Sequence, residues 1–310
     1  VKEKISEKDV DQMLRSMYAG ISGMKGFQTK LDVIGNNIAN VNTSGFKKGR
    51  VTFQDMMSQS MSAAEGPVVQ GGAAIRGGVN PSQVGLGSQV GSIDNLHTVG
   101  NLQTTNRSLD LALEGDGMFV LGEDANGDEN FTFGGNEMTF TRAGNFYLDD
   151  DGYIVNSDGK YLLGQTGAPE DDGGLGRIQI PEDAESFSIQ STGEVTYVDP
   201  QDGATTAGTI RLAKFSNPGG LEKLGSNTYQ MTANAGVYTD GDNAFNSIDD
   251  LVIPGQDGGA SVVSGALEMS NVDLAEEFTE MITAQRGFQA NTRIITTSDE
   301  ILQELVNLKR

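Results

Sequence analysis

Cysteine and tryptophan are absent from the 310 residues, and His97 is the single histidine. Without cysteine there are no disulfides and no thiolate metal sites. With one histidine, no His-Glu-x-x-His run can exist, and neither a Gly-x-Ser-x-Gly elbow nor a Walker A loop is found. The stretch from Gly152 to Lys160 has the wrong spacing for a phosphate loop and lacks a Ser or Thr after its lysine. No run of 18 or more apolar residues occurs, so no helical membrane span is expected. The start of the chain lacks a basic patch followed by an apolar stretch, so no cleavable secretory signal is expected either. Asp124-Ala-Asn126-Gly-Asp128 opens like a calcium loop. However, Glu129 stands where that loop needs glycine, and Gly135 stands where it needs a bidentate glutamate. It reads as a polar hairpin tip. The carboxylate clusters Asp149–Asp151 and Glu170–Asp172 fall in turns and need only be solvated. No catalytic, cofactor-binding or metal-binding residue is expected, and the chain does not read as an enzyme.

What is plentiful is glycine and acid. There are 42 glycines against seven prolines, which suits a turn-rich β region. The formal charge of −22 is concentrated between residues 61 and 267, which hold 29 acidic and eight basic side chains. So acidic a region repels nucleic acid and anionic lipid. Residues 13–60 are net basic and residues 268–310 net acidic, a complement that favours pairing of the two ends.

Residues 1–12 are polar, mixed in charge and free of an apolar stripe; they read as a disordered tail or as sequence upstream of a start at Met13. From there the pattern is helical. Leu14, Met17, Ile21, Met24, Leu31 and Ile38 fall on steps of three and four, the seam of a coiled coil, interrupted at Gln28 and Gly35. Gly20, Gly23, Gly26 and Gly35 each cost roughly 1 kcal/mol against alanine, so this helix needs a partner. Asn40, Asn42, Thr43, Ser44 and Gly45 end it. The C-terminus repeats the pattern through Leu274, Phe278, Met281, Gln285, Phe288, Thr292 and Ile295, then Ile301, Leu305 and Leu308. Asp273 and Glu276 precede it at near capping-box spacing. Some 36 helical residues span about 54 Å, longer than a small domain is wide.

Between the ends the period changes to two. Asp-Gly or Asn-Gly pairs at 116–117, 126–127, 151–152, 158–159, 202–203, 240–241 and 257–258 separate short apolar runs, the pattern of antiparallel strands joined by tight turns. Residues 61–92 are rich in Gly, Ser and Gln, with few strand signals. The expected fold class is therefore α+β. Long terminal helices over 13–41 and 268–310 form a coiled-coil-like inner domain, 42–92 is an extended connector, and 93–267 is an inserted antiparallel β domain. Terminal seams that a monomer cannot fully satisfy point either to a polymer or to an ordinary two-helix hairpin packed on its own sheet, and the pattern alone does not choose between them.

The ends also resemble a known family. Ile34-Gly-Asn-Asn-Ile-Ala-Asn-Val-Asn-Thr-Ser-Gly-Phe-Lys47 is similar to the N-terminal signature of the flagellar rod and hook proteins. Met269-Ser-Asn-Val-Asp-Leu274 and Ala284-Gln-Arg-Gly-Phe-Gln-Ala-Asn291 resemble the C-terminal one. Asp110 to Phe119, Thr141 to Phe146, Phe215 to Leu221 and Gly225 to Tyr229 look like interior family motifs. Asn80 to Gly87 and the ending Leu305 to Arg310 resemble the hook branch more than the distal rod branch, although the chain is too short for the outer domain many hook proteins carry. The resemblance implies a structural subunit of the extracellular flagellum, assembling with itself into the hollow, curved tube of the hook, a universal joint, and exported without signal cleavage. The distal rod is the alternative, and a secreted β-rich enzyme or adhesin is a less favoured one. It implies as further partners the distal rod, the hook cap, the hook–filament junction proteins and the flagellar export apparatus, with no nucleic acid, membrane insertion or cofactor. The self-assembly residues expected on this reading are Leu14, Ile21, Leu31, Ile38, Leu274, Phe278, Met281, Phe288, Ile295, Leu302 and Leu305 on the seams. Gln285 joins them as a polar seam position, and Asn40, Asn42 and Phe46 come from the signature.

Overall fold

The computed structural model describes residues 7–70, 73–123, 138–166, 174–200, 203–238, 245, 247–256 and 258–308. It is α+β and divides into two compact units. One holds Val1–Ile38, Gly49–Asp94 and Asp273–Arg310; the other holds Ala39–Lys48 and Asn95–Val272.

The first unit is built on two long helices, α1 (Glu7–Ala39) and α2 (Leu274–Leu308). α1 starts six residues ahead of Met13, so Glu7–Gln12, read from sequence as tail, are helical. α2 starts where the sequence places its cap: Asp273 Oδ1 accepts the backbone N–H of Ala275 at 2.8 Å and of Glu276 at 3.4 Å. The helices run antiparallel, with Gly23 facing Asn291, Phe27 facing Gly287 and Lys30 bridged to Glu280 at 3.1 Å. The contact runs through small and polar residues. Ala284 and Glu277 are buried on α2, and Gly20, Gly26, Ile34 and Asn37 on α1. A coiled-coil seam of large apolar side chains is not seen among the described contacts. Close approach explains this: a Cβ on Gly287 would stand 2.6 Å from the Phe27 ring. Two of the glycines that burden α1 as an isolated helix, Gly20 and Gly23, let α2 lie against it, and Gly26 makes room for Phe53.

The same unit contains a two-stranded ribbon. β1 (Gly49–Asp55) pairs with β6 (Ser88–Asn95), β2 (Ser58–Ser62) with β5 (Ser82–Gly85), and β3 (Val68–Gln70) with β4 (Ala73–Arg76), nested as one interrupted hairpin. Residues with few strand signals are thus paired strands. The sequence hides them because most of β2 and β5 is exposed on both faces, and no apolar alternation is needed where no core is covered. Such a ribbon is marginal alone. Its base leans on α1, where Phe53 packs on Phe27 with ring centroids 6.1 Å apart and Gly87 closes on Ser22.

The second unit is a large antiparallel sheet. Its central path runs Ser186–Ile189, Glu194–Asp199, Gly203–Ile210, Tyr161–Thr166, Met118–Gly122, Met138–Thr141, Thr228–Gln230 and Glu222–Gly225. The Asp-Gly pairs at 151–152 and 158–159 close hairpins as expected, and Gly152 and Gly159 both take φ near +80°. The pair at 116–117 joins two strands that do not pair with each other, and the pairs at 126–127, 202–203, 240–241 and 257–258 lie wholly or partly outside the described residues. Met118–Leu121 is apolar at every position because both faces of this strand are covered. Phe119 and Leu121 enter one cluster with Leu162 and Ile210, while Met118 and Val120 enter another with Leu163 and Phe215. Two family-like motifs interlock here. Leu111 N donates to Gly144 O at 2.9 Å, and a Cβ on Gly144 would stand 1.6 Å from Leu111 O.

Two measurements check this packing. Gly144→Ala is expected to cost at least about 3 kcal/mol in urea unfolding, because backbone must move to admit one methyl group. In α1, no described atom lies within 4 Å of where a Cβ on Gly35 would stand, so Gly35→Ala is expected to stabilise the helical unit by up to about 1 kcal/mol, whereas Gly287→Ala lowers its melting temperature by circular dichroism.

Candidate functional site: a buried charge cluster and the exposed helical faces

In the β unit, three segments adjacent to its boundaries meet at one carboxylate. Glu268 Oε1 accepts Lys47 Nζ at 2.6 Å and the backbone N–H of Gly100 at 2.8 Å, while Oε2 accepts Arg142 Nε at 2.6 Å. Lys47 Nζ also donates to Thr98 O at 2.7 Å. The outer nitrogens of Arg142 donate to the carbonyls of Leu113, Gly115 and Gly117, alternate residues along the turn between the two strands of the Asp110–Phe119 motif. Glu268 is fully removed from solvent, and Lys47 and Arg142 nearly so. Asn271 completes the junction: its Oδ1 takes Lys48 N, and its Nδ2 donates to Leu96 O and to Thr98 Oγ1, each at 2.8 Å. Gly45 N donates to Glu268 O at 2.8 Å, and Asn227 Nδ2 to Ser44 O at 2.7 Å.

Burial pushes the Glu268 carboxyl upward, but Arg142 and Lys47 outweigh it and hold the group below its usual range. Lys47 is lowered because burial, aided by Arg142, exceeds the pull of Glu268. His97, packed on Tyr229, is held down to about 4 by burial and then by Lys47, Lys223 and Arg142.

The helical unit has its own polar clamp. Buried Asn37 donates to Gly49 O and accepts Gly49 N, both at 2.9 Å, and reaches Glu277 at 3.2 Å. The expected seam residues are distributed around this pair. Leu31, Ile38, Met281, Phe288, Ile295 and Leu302 are half-buried, and Ile295 lies against Gly20. Ile21, Leu274, Phe278 and Gln285 are exposed, Phe278 at 50%. With Ile282 at 53%, Phe278 forms an apolar i, i+4 pair on the side of α2 opposite to buried Glu277 and Ala284. Of the signature residues, Asn40 is half-buried and accepts Thr43 Oγ1, Asn42 is exposed, and Phe46 is buried under Lys223. The side chains of Leu14 and Leu305 lie outside the described residues, as does the Asp124–Asp128 loop. No described helix is long and apolar enough to cross a membrane.

Three family models match the chain: the flagella basal body rod protein model over residues 17–47, the D1 domain of the flagellar hook proteins FlgE/F/G over 112–197, and the C-terminal model of the flagellar basal body rod FlgEFG proteins over 263–308. The flagellar basal-body rod protein FlgG of Bacillus subtilis is 52% identical over 298 residues, 96% of this chain and all of that protein. FlgG of Caulobacter vibrioides is 35% identical over 96% of the chain and all of its own length, and the flagellar hook protein FlgE of Borreliella burgdorferi 30% over the same shares. The chain belongs to the flagellar rod and hook family. Its relatives there are structural proteins of the flagellum, not enzymes. Each of the three matched segments contributes one member of the buried cluster: Lys47 from the first, Arg142 from the second and Glu268 from the third.

Sequence reasoning centred on the apolar seams misses this cluster, along with Asn37 and Asn271. The available signal was chemical: a lysine, an arginine and a glutamate each set within or beside a glycine- and asparagine-rich motif.

Glu268→Gln leaves two buried cations without their counter-charge, and about 3–5 kcal/mol of the β unit's stability is expected to be lost in denaturant titration. The histidine sets a pH slope. The unfolded chain takes up its proton near 6.5 and the folded chain only near 4, so this contribution is complete above 6.5 and declines as pH falls through that window. Urea midpoints measured from about pH 8 down to pH 5 show the decline in the parent chain, and His97→Gln flattens it. The contribution of Glu268 has the same sign at lower pH, being lost only as pH drops through its depressed folded value.

Proposed function

We propose that the chain is a distal rod subunit of the flagellar basal body, polymerising with itself into a straight hollow shaft. The observation that carries this reading is the 52% identity to a rod protein across the whole of that protein. The hook relatives of Borreliella burgdorferi and Treponema pallidum align over 468 and 490 positions at 30% and 28% identity. They therefore hold long stretches without a counterpart in 310 residues. The likeness of Asn80–Gly87 and Leu305–Arg310 to hook proteins is short beside this, and the rod reading replaces the curved-joint reading drawn from it.

Self-assembly is supported by what the helical unit leaves in water. Tyr18 is 67% exposed, and Leu274, Phe278, Ile282, Ile294, Ile301 and Val306 are each exposed by 40% or more. Full burial of such a side chain stabilises by about 1.5–3 kcal/mol, so covering even half of this set by neighbouring copies supplies several kcal/mol per subunit. In this reading α1 and α2 line the tube, and the ribbon reaches neighbouring subunits. The remaining partners are the other axial proteins and the flagellar export apparatus.

Electron microscopy of the assembled protein tests the reading. Straight tubes are expected, and curved tubes return the hook assignment. A chain that stays monomeric at high concentration, with both helices protected from protease, overturns both. Removing residues 296–310, or Phe278→Ser with Ile282→Ser, is expected to abolish tube formation and leave the β unit folded.

A further inference from the structure

Within the β unit, a cavity of about 200 Å³ opens beside the charge cluster, lined among others by Lys47, His97, Asp116, Arg142, Lys214 and Ser216. Its electrostatics run against the rest of the molecule. Lys47, Arg142 and Lys214 line it, and Lys223 acts on His97 from alongside. Glu268 and Asp116 are the opposing carboxylates near Lys47. Four cations against two anions leave a local surplus of two positive charges in a chain whose formal charge is −22.

Hydrogen-bonding capacity is also left over. Both ring nitrogens of His97 are buried without a protein partner among the described residues. Lys47 spends two of its three ammonium protons, on Glu268 and on Thr98 O. A buried donor without an acceptor costs about 1–3 kcal/mol, and Asp116, the one acidic side chain lining the cavity among the described residues, is exposed.

We propose that this cavity is a binding site for a small oxyanion of the phosphate or sulfate class, held by a His97 ring N–H and the third proton of Lys47 in the field of Arg142, Lys214 and Lys223. Water alone can satisfy the imidazole, but it leaves the charge surplus in place; a tetrahedral oxyanion answers both and fits the volume. At neutral pH the imidazole offers one donor and at lower pH two. By linkage, anion binding and proton uptake by His97 strengthen each other. The site is independent of the rod assignment, since every residue in it belongs to the β unit.

The single histidine makes the test unambiguous. Full-length chain carrying 13C-labelled histidine is titrated with phosphate, sulfate and chloride at constant ionic strength, from about pH 5.5 to 8, the range where an ordinary histidine titrates. Without an oxyanion no inflection is expected in that range. Phosphate or sulfate is expected to give a saturable shift of the His97 ring signals and bring an inflection into the range. Lys214→Gln should weaken the oxyanion about tenfold, and Asp116→Asn should tighten it severalfold, roughly the effect of one charge at close range. Three outcomes overturn the site: no shift with either oxyanion, a non-saturating shift matched by chloride, or affinities unchanged in both variants. Thermal unfolding with and without sulfate gives a second readout, with a rise expected in the parent chain and a smaller one in Lys214→Gln.

Discussion

Glu268 sits in a place where a lone carboxylate could not survive as an anion. It is shut off from water, and it keeps its charge because Lys47 and Arg142 approach both oxygens at 2.6 Å while the Gly100 amide takes another lone pair. Such an arrangement gains little net energy over a well-packed apolar substitute, since desolvating three charges consumes most of the Coulomb attraction. What it supplies is an address. An apolar contact tolerates sliding; a carboxylate between two fixed cations does not. Arg142 in turn holds the carbonyls of Leu113, Gly115 and Gly117, so the bend of one motif, the strand end of another and the segments flanking both helices are set by one group.

The polar clamp of the helical unit follows the same logic on a smaller scale. Asn37 uses donor and acceptor together against Gly49 and reaches Glu277. It joins the end of α1, the start of the ribbon and the first turn of α2. Around this fixed point much of the helix contact runs through glycine, alanine and asparagine, so a set of large apolar side chains, Phe278 and Ile282 among them, remains available to other molecules. A helix pair that buried Phe278 and Ile282 internally would be more stable alone and less able to assemble.

Much of this was readable in the residues. The Asp-Gly turns, the apolar runs between them, the Asp273 cap and the two long terminal helices all depend on local chemistry, which sequence reports directly. The ribbon was hidden because strands exposed on both faces need no alternation. The small-residue helix contact is not legible in the sequence because glycine enters a propensity scale as a penalty, and only the partner helix reveals its use. The charge cluster was invisible for a different reason: Lys47 and Glu268 are 221 positions apart, and no periodicity connects residues at that distance. The resemblance to the family pointed to the right motifs without saying that they touch.

The spacing of the three charges also orders events in time. Lys47 and Arg142 come early in the chain, while their shared counter-charge arrives only after most of the sequence. A polypeptide delivered from its N-terminus into a new compartment would hold two cations waiting, hydrated and unpaired, until residue 268 emerged. Closing the β unit would then be a late step that signals near-completion of the chain. A fold latched by its last quarter does not close around an incomplete chain.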